Sequence, residues 1–278
     1  MRRSALVAMV VLLVAGSCGS PGSRTTSVPT TVTATSATTA ASTTAAPTTA
    51  APTTVVATTT TTTSSSTSVP AGPATVVTRG SNDRRVVALT FDAGADAGNT
   101  AAILAVLGAR RIHATFGITG LWAQANPGLV RQIAAAGHQI VNHTWDHRSF
   151  TGYSTGTGAL SAAQIDQELS AADSLIRQLT GTGTGGWARP PYGDRNSTVD
   201  QAVGAAGYRY ELMWTVDTLG WKAVPPETVV ERSLAAASPG EIILMHVGSA
   251  STDAAALPSL ISALADQGYG FVTASAMV

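Results

Sequence analysis

The stretch that decides the fold is GHQIVNHTWDH, residues 137–147, in which an apolar, strand-like run leads into two histidines. His143 and His147 are four residues apart. If the chain turned helical after Asn142, this spacing would place both imidazoles on one face, within reach of a single ion. The stretch therefore indicates half of a metal site, although a surface pair or a packed pair with satisfied ring nitrogens has the same spacing.

Four further polar residues favour the metal-site interpretation through their positions. Asp92, Arg189, Asp217 and His246 each lie at or near the end of a separate strand-like run. The loops at the carboxyl ends of parallel strands are where α/β folds collect catalytic groups. We therefore expect these side chains to meet the two histidines at one end of a sheet.

Strand-like and helix-like segments alternate through the second part of the chain. Strands are predicted at residues 85–91, 114–118, 139–142, 187–189, 211–216, 241–245 and 270–273, and helices at residues 99–107, 128–136, 162–179, 198–206, 227–236 and 255–266. This alternation predicts parallel strands joined by helical crossovers. The expected fold is a layered or barrel-shaped α/β domain over residues 78–278.

Residues 1–77 are predicted to lie outside this domain. Residues 1–18 contain Arg2 and Arg3 and then an apolar run that is too short to span a membrane, which is typical of a secretory signal peptide. Its end, Ala-Gly-Ser-Cys, resembles the lipobox of bacterial lipoproteins, in which the cysteine, here Cys18, carries the lipid. An ordinary signal peptide with a chance cysteine is the alternative.

Residues 19–77 are rich in Thr, Ser, Ala and Pro and contain very few charged residues. This composition buries too little apolar surface to offset the entropy of ordering, so the segment is predicted to be a disordered linker. Such a linker would let a catalytic domain work at a distance from a membrane anchor. A passive spacer, with or without O-glycosylation, would have the same composition.

Composition also narrows the partners and the location. The chain has 16 Lys and Arg against 16 Asp and Glu, and no basic patch that would bind nucleic acid is visible. Cys18 is the only cysteine, so no internal disulfide can form. We expect a monomer that is secreted and anchored by lipid to the outer face of the cell membrane, with no other membrane contact.

Five short motifs resemble those of polysaccharide deacetylases of the NodB-homology type, carbohydrate esterase family 4. The first is LTFDAG at residues 89–94, where the family usually has Thr-Phe-Asp-Asp-Gly. The others follow in the family's order: HTWDH at 143–147, RPPYG at 189–193, DTLGW at 217–221 and ILMH at 243–246. Any one motif is weak, but five in order at strand ends are hard to obtain by chance.

The resemblance implies a distorted (β/α) barrel that holds one divalent ion, usually zinc, and removes acetyl groups from acetylated sugars. A metal with an open coordination position lowers the pKa of bound water to about 7, which suits hydrolysis at neutral pH. Family position assigns the ion to His143 and His147 and the role of general base to Asp92.

Three further roles follow from the resemblance. Arg189 would pair with Asp92 and keep that carboxylate ionised. His246, on the opposite side of the site, would protonate the leaving amine or alkoxide. The backbone N–H of Tyr192, together with the metal, would meet the developing oxyanion.

The first departure from the family pattern is Ala93, where most members have an aspartate that binds the metal. Three outcomes are open: Asp96 supplies the oxygen, Asp92 binds the metal instead of acting as base, or the site is defective. We favour Asp96, because Gly94 and Gly98 allow the loop to fold back. An Asx-turn or a helix cap would also explain an aspartate at this position.

The second departure is Gly220, where the family often has an aspartate that tunes the acid histidine. Asp217 is the nearest substitute, and a carboxylate there could hold the imidazolium of His246. Alternatively, Asp217 caps a strand end or pairs with an arginine.

The function predicted from these residues is metal-dependent deacetylation of N-acetylglucosamine or N-acetylmuramic acid units in peptidoglycan or a chitin-like glycan. A glycan-binding protein that kept the groove but lost catalysis is one alternative, which Ala93 and Gly220 favour. An esterase or amidohydrolase for another acetylated substrate, such as xylan, is the other.

Overall fold

The computed structural model describes residues 72–278. The predicted signal peptide, its cysteine and most of the predicted linker lie outside the described residues. The predicted end of the linker at residue 77 is wrong, because Thr75–Val77 form a strand that pairs in parallel with Tyr210–Leu212. The folded domain thus begins a few residues earlier than the change in composition indicates.

The described chain alternates between strands and helices, as predicted. The strands are β1 (Thr75–Val77), β2 (Val86–Ala93), β3 (Thr115–Ile118), β4 (Gln139–Asn142), β5 (Trp187–Ala188), β6 (Tyr210–Leu212), β7 (Val216–Asp217), β8 (Glu241–His246) and β9 (Gly270–Phe271). The helices are α1 (Thr100–Arg110), α2 (Gly120–Ala125), α3 (Pro127–Ala135), α4 (Ala162–Thr180), α5 (Ser197–Ala205), α6 (Pro226–Ala236) and α7 (Asp253–Asp266). Short 3₁₀ turns lie at Pro191–Gly193, Gly220–Lys222 and Ala274–Met277.

All strand pairs of the sheet are parallel, in the order β1-β6-β5-β4-β3-β2-β8-β7, with β9 paired to β2. The predicted strand at residues 211–216 is instead two short strands. Between them, the N–H of Met213 donates to the carbonyl of Val77 at 2.8 Å, and the N–H of Thr215 donates to that of Ile242 at 2.9 Å. This segment therefore bonds to both β1 and β8, and the sheet curls into a distorted barrel.

The two faces of β2 differ because successive side chains of a strand point to opposite sides. Leu89, Phe91 and Ala93 belong to the large apolar core that packs between the sheet and the helices. Thr90 and Asp92, which are also buried, occupy the alternate positions and face the barrel interior. This alternation places a carboxylate inside the barrel near the carboxyl end of β2.

Helix α4 holds the segment that follows β4. It begins with a capping box, in which the Ser161 hydroxyl accepts from the N–H of Gln164 and the Gln164 side chain accepts from the N–H of Ser161. Its Glu168 is buried, and Glu168 Oε2 accepts from the N–H groups of Trp145 and Asp146 at 3.0 and 3.1 Å. The long helix thus fixes the backbone between the two histidines of the quoted stretch.

The short helix α2 is absent from the prediction. The other helices lie within three residues of their predicted bounds: α1 extends to Arg110 instead of residue 107, and α7 starts at Asp253 instead of residue 255. Within residues 72–278, none of the helices combines the length and the apolar composition that a membrane span requires.

Candidate active site

Asp92 forms a buried ion pair with Arg189 at the carboxyl end of the barrel. Arg189 Nη1 donates to Asp92 Oδ1 at 2.7 Å, and Nη2 donates to Thr90 Oγ1 at 2.9 Å. Burial by itself raises the pKa of Asp92, but the Arg189 guanidinium, through its charge and its hydrogen bond, holds it below its usual value. The structure therefore contains the predicted pair, and the carboxylate is ionised at neutral pH, as a general base must be.

His143 lies directly after β4 and is oriented by the same arginine residue. Its Nδ1 is 2.8 Å from the carbonyl oxygen of Arg189. A carbonyl only accepts, so Nδ1 carries the proton and Nε2 keeps its lone pair, 3.4 Å from Asp92 Oδ2. Burial lowers the pKa of His143 despite the opposing effect of Asp92. The ring is therefore neutral and in the tautomer that binds a metal through Nε2.

His147 meets His143 through an irregular loop, so the helical turn considered for this segment is wrong. Thr144 has φ 70° and His147 has φ 66°, both in the left-handed region. The N–H of His147 donates to Thr144 Oγ1 at 3.0 Å, which stabilises this conformation. The two rings still come together, with centroids 4.7 Å apart. Burial lowers the pKa of His147 to about 4, so this imidazole is neutral as well.

The structure does not bring Asp96 to the two histidines, contrary to the favoured sequence hypothesis. Its Oδ1 accepts from the N–H of Ser249 at 2.8 Å, and its Oδ2 accepts from the Ser249 hydroxyl at 2.6 Å. Its carbonyl accepts from Trp122 Nε1 at 2.8 Å. Asp96 thus joins the loop after β2 to the loop after β8, and both carboxylate oxygens are already used.

Two of the residues present, His143 and His147, fit the role of ligands of a divalent ion. The imidazole rings of His143 and His147 are both neutral, and their centroids lie 4.7 Å apart. A neutral pair of this kind suits zinc. Ala93 cannot bind a metal, and within residues 72–278 no group of three or more His, Cys, Asp or Glu side chains is arranged to hold one. The other two outcomes considered from the sequence stay predictions: Asp92 binds the ion instead of acting as base, or the site is defective.

His246 ends β8 directly opposite Asp92, its Cα partner on β2. The prediction that Asp217 is the partner of His246 is wrong. Asp217 Oδ1 accepts from the N–H of Leu219 at 2.9 Å, and Oδ2 accepts from Trp221 Nε1 at 3.1 Å, so it caps a turn and holds an indole.

The carboxylate that faces His246 belongs to Asp253, the first residue of α7. Asp253 Oδ2 accepts from the N–H of His246 at 2.8 Å and lies 3.9 Å from its Nδ1. Asp253 is not among the residues predicted from the sequence. It belongs to none of the five motifs, and its only sequence signal is an acidic residue at a helix start.

A cavity of about 700 Å³ opens at this end of the barrel. Its wall includes three of the polar groups described above and three aromatic residues: Asp92, His147, His246, Tyr192, Trp214 and Trp221. Tyr192 and Trp221 are about half exposed, and the Tyr192 ring contacts His147 with centroids 4.7 Å apart. The backbone of Tyr192 has φ 60°, in the turn that follows Arg189. Its predicted role at the oxyanion stays a prediction.

These groups define an acid–base site at the carboxyl end of a parallel α/β barrel, with a carboxylate and an imidazole at the ends of two adjacent strands and two neutral histidines near them. The comparisons identify the class further. The chain belongs to the polysaccharide deacetylase family, whose model, "Polysaccharide deacetylase", matches residues 79–211.

Two curated relatives carry deacetylase names. The chain is 34% identical over 71% of its length to the peptidoglycan N-acetylglucosamine deacetylase PgdA of Listeria monocytogenes, of which it covers only 39%. It is 32% identical over 69% of its length to the chitooligosaccharide deacetylase of Sinorhizobium fredii, of which it covers 92%. The chain thus spans about two fifths of the longer relative and almost all of the shorter one.

A solved structure in the same group is described as a pseudoenzyme. BA3943 of Bacillus anthracis, a "CE4 family pseudoenzyme", superimposes with a TM-score of 0.65 at 28% identity over 73% of this chain and 68% of its own. The predicted NodB-type barrel is therefore confirmed. Membership of the family and activity are separate questions.

Proposed function

We propose that the chain is a deacetylase of cell-wall glycan, acting on N-acetylglucosamine or N-acetylmuramic acid units. The observation that supports this most is the pairing across the barrel end: Asp92, held ionised by Arg189, lies on the strand next to His246. The arrangement provides a base and an acid on the wall of one cavity. The names of the relatives support the glycan as substrate.

The proposed reaction is hydrolysis of the amide that links an acetyl group to a sugar. Asp92 accepts a proton from the attacking water, whose oxygen bonds to the acetyl carbon. His246 then donates a proton to the sugar nitrogen as the C–N bond breaks, so that acetate and a free amine leave. A general acid or a general base of this kind accelerates the reaction by ~10²- to 10⁴-fold.

We propose that His143 and His147 hold a divalent ion. Zinc is the metal proposed, because imidazole nitrogens are ligands that suit it. When bound, such an ion supplies a Lewis acid that polarises the acetyl group and activates water. Members of this family generally depend on a divalent metal. What supports the proposal in this chain is that both rings are neutral and that His143 Nδ1 is engaged by a carbonyl.

The test is acetate release from peptidoglycan and from chitin oligosaccharides by the full chain, with and without added zinc. Asp92→Asn and His246→Ala should each lower the rate by two orders of magnitude or more, on the scale of ~10² to 10⁴ given above. Asp266→Asn, at the exposed end of α7, is a matched charge control that should not change the rate. Full activity of the Asp92→Asn variant would refute the assignment of the base.

A second candidate function is glycan binding without catalysis, favoured by the alanine at position 93. It predicts that the chain is retained on insoluble peptidoglycan, releases no acetate and binds no stoichiometric metal. Acetylated xylan and small acetate esters belong in the same assay, because activity on these alone would identify an esterase instead.

We also propose that the mature chain is a monomer tethered to the outer face of the cell membrane through Cys18. The lipobox-like end of the signal segment and the Thr- and Pro-rich linker support this. In the native host, Cys18→Ser should move the protein from the membrane fraction to the medium. Unchanged membrane association would refute the anchor.

A further inference from the structure

The carboxylate of Asp253 occupies the space that a side chain at position 220 would need. A Cβ added to Gly220 would lie 2.2 Å from Asp253 Oδ1 and 2.4 Å from its Cγ. Both distances are too short for non-bonded atoms, so these two side chains exclude each other. Gly220 begins the turn after β7, whereas Asp253 begins α7. Side chains at positions 220 and 253, which belong to two separate segments of the chain, would thus occupy the same space.

Three donors fix the Asp253 carboxylate, which is fully buried. Oδ1 accepts from the Thr218 hydroxyl at 2.7 Å, and Oδ2 accepts from the Ser251 hydroxyl at 2.8 Å as well as from the N–H of His246. Burial raises the pKa of Asp253, and these hydrogen bonds oppose the increase. Because the carboxyl oxygens of Asp253 accept all of these hydrogen bonds and donate none, the arrangement suits the ionised form.

The ring of His246 presents one nitrogen to this carboxylate. Its Nδ1 is buried, lies 3.9 Å from Asp253 Oδ2 and has no hydrogen-bond partner among the described residues. A carboxylate beside Nδ1 favours the tautomer that carries the proton there and stabilises the imidazolium, as carboxylate–histidine pairs do in other hydrolases. The rest of the ring remains on the cavity wall.

We propose that Asp253 is the positioning residue of His246 and that it provides, from the start of α7, the carboxylate that the family resemblance leads us to expect at position 220. The inference rests on the proposed role of His246 as the acid. It explains both the glycine at 220 and the polar cluster around Asp253, and it means that the second departure from the family pattern does not remove the carboxylate from the site.

Other charges near His246 must stay constant in a test of this idea. Asp92 on β2 and the two histidines after β4 lie close enough to interact electrostatically with His246. Asp217 on β7 is turned to Trp221 instead. The substitutions are therefore confined to positions 220 and 253.

The experiment compares Asp253→Asn, the exchange variant Gly220→Asp with Asp253→Gly, and Asp266→Asn as the control on the same helix, all in the full chain. The first readout is the pH dependence of kcat/KM for acetate release. The second is the pH at which the His246 ring titrates, followed by NMR with labelled histidine. The second readout needs no activity, so it decides the inference even if no glycan is deacetylated and the proposed function fails.

We expect Asp253→Asn to move the alkaline limb of the pH profile and the His246 titration to lower pH, because the protonated ring loses its partner. kcat should fall by roughly tenfold or more, part of the ~10² to 10⁴ that a general acid contributes, while KM changes little. The exchange variant should restore both readouts. An unchanged His246 titration in Asp253→Asn, even with a loss of thermal stability, would show a purely structural role and overturn the inference.

Discussion

Ala93→Asp tests whether residue 93 alone deprives the two histidines of a third ligand. Ala93 is completely buried in the apolar core between sheet and helices, on the face of β2 opposite to Asp92. Without metal, a carboxylate there is a buried polar group with no partner, and this costs on the order of 3 kcal/mol. For a domain of this size the loss corresponds to a fall in Tm of roughly 6–12 °C.

A metal should reverse this loss only if the new carboxylate can leave the core and join the histidines. Free metal at about 100 times its Kd stabilises the folded state by ~2.7 kcal/mol, close to the cost of the substitution. We therefore expect Ala93→Asp to have a low Tm without metal and a nearly normal Tm with zinc. The metal-induced rise in Tm should be larger than that of the unaltered chain.

The assay is thermal unfolding of the full chain during zinc titration, combined with the metal content after dialysis. Ala93→Asn is the matched control, because it has the same size and buries a polar group but offers no anionic ligand. If Ala93→Asp loses stability and zinc does not restore more of it than in the asparagine variant, the carboxylate stays in the core. In that case residue 93 is not what limits the metal site, and the reasoning fails.

Two further predictions concern buried charges. Arg189→Met should lower the free energy of unfolding by about 3–5 kcal/mol, because it leaves the buried carboxylate of Asp92 unpaired. Urea unfolding measures this, and the double variant Asp92→Asn with Arg189→Met should recover part of the loss; an additive loss would refute the coupling. Burial raises the pKa of Glu211 and that of Glu241 from 4.5 to about 7 each. The folded state therefore binds more protons than the unfolded one between these values, so stability should fall as pH rises from 4.5 to 7, by about 3 kcal/mol per group. Glu211→Gln and Glu241→Gln should each flatten this part of the stability–pH curve, and an unchanged slope would contradict the buried-acid interpretation.

The sequence by itself determined the α/β architecture and those residues of the site that lie at strand ends. Alternating strand and helix periods are local properties, so the parallel α/β order could be predicted from residues 78–278. Asp92, His143, Arg189 and His246 follow from strand ends, because parallel strands bring their carboxyl ends to one edge whatever the loops do.

Tertiary structure decided which groups the loops supply. Sequence proximity favoured Asp96 as a metal ligand and Asp217 as the partner of His246. In the structure, Asp96 instead accepts a hydrogen bond from Ser249, and Asp217 accepts one from Trp221. The segment between the two histidines is a loop with left-handed residues, although its spacing also suits a helix.

Asp253 shows why such choices cannot be predicted along the chain. Its carboxylate lies beside His246 because α7 starts where the turn at Gly220 leaves space, and that space is set by the packing of two elements distant in sequence. Hydrophobic periodicity reports on neighbours within a few residues. A hydrogen bond between loops depends on the whole barrel having closed, so only the folded chain determines which carboxylate faces the histidine.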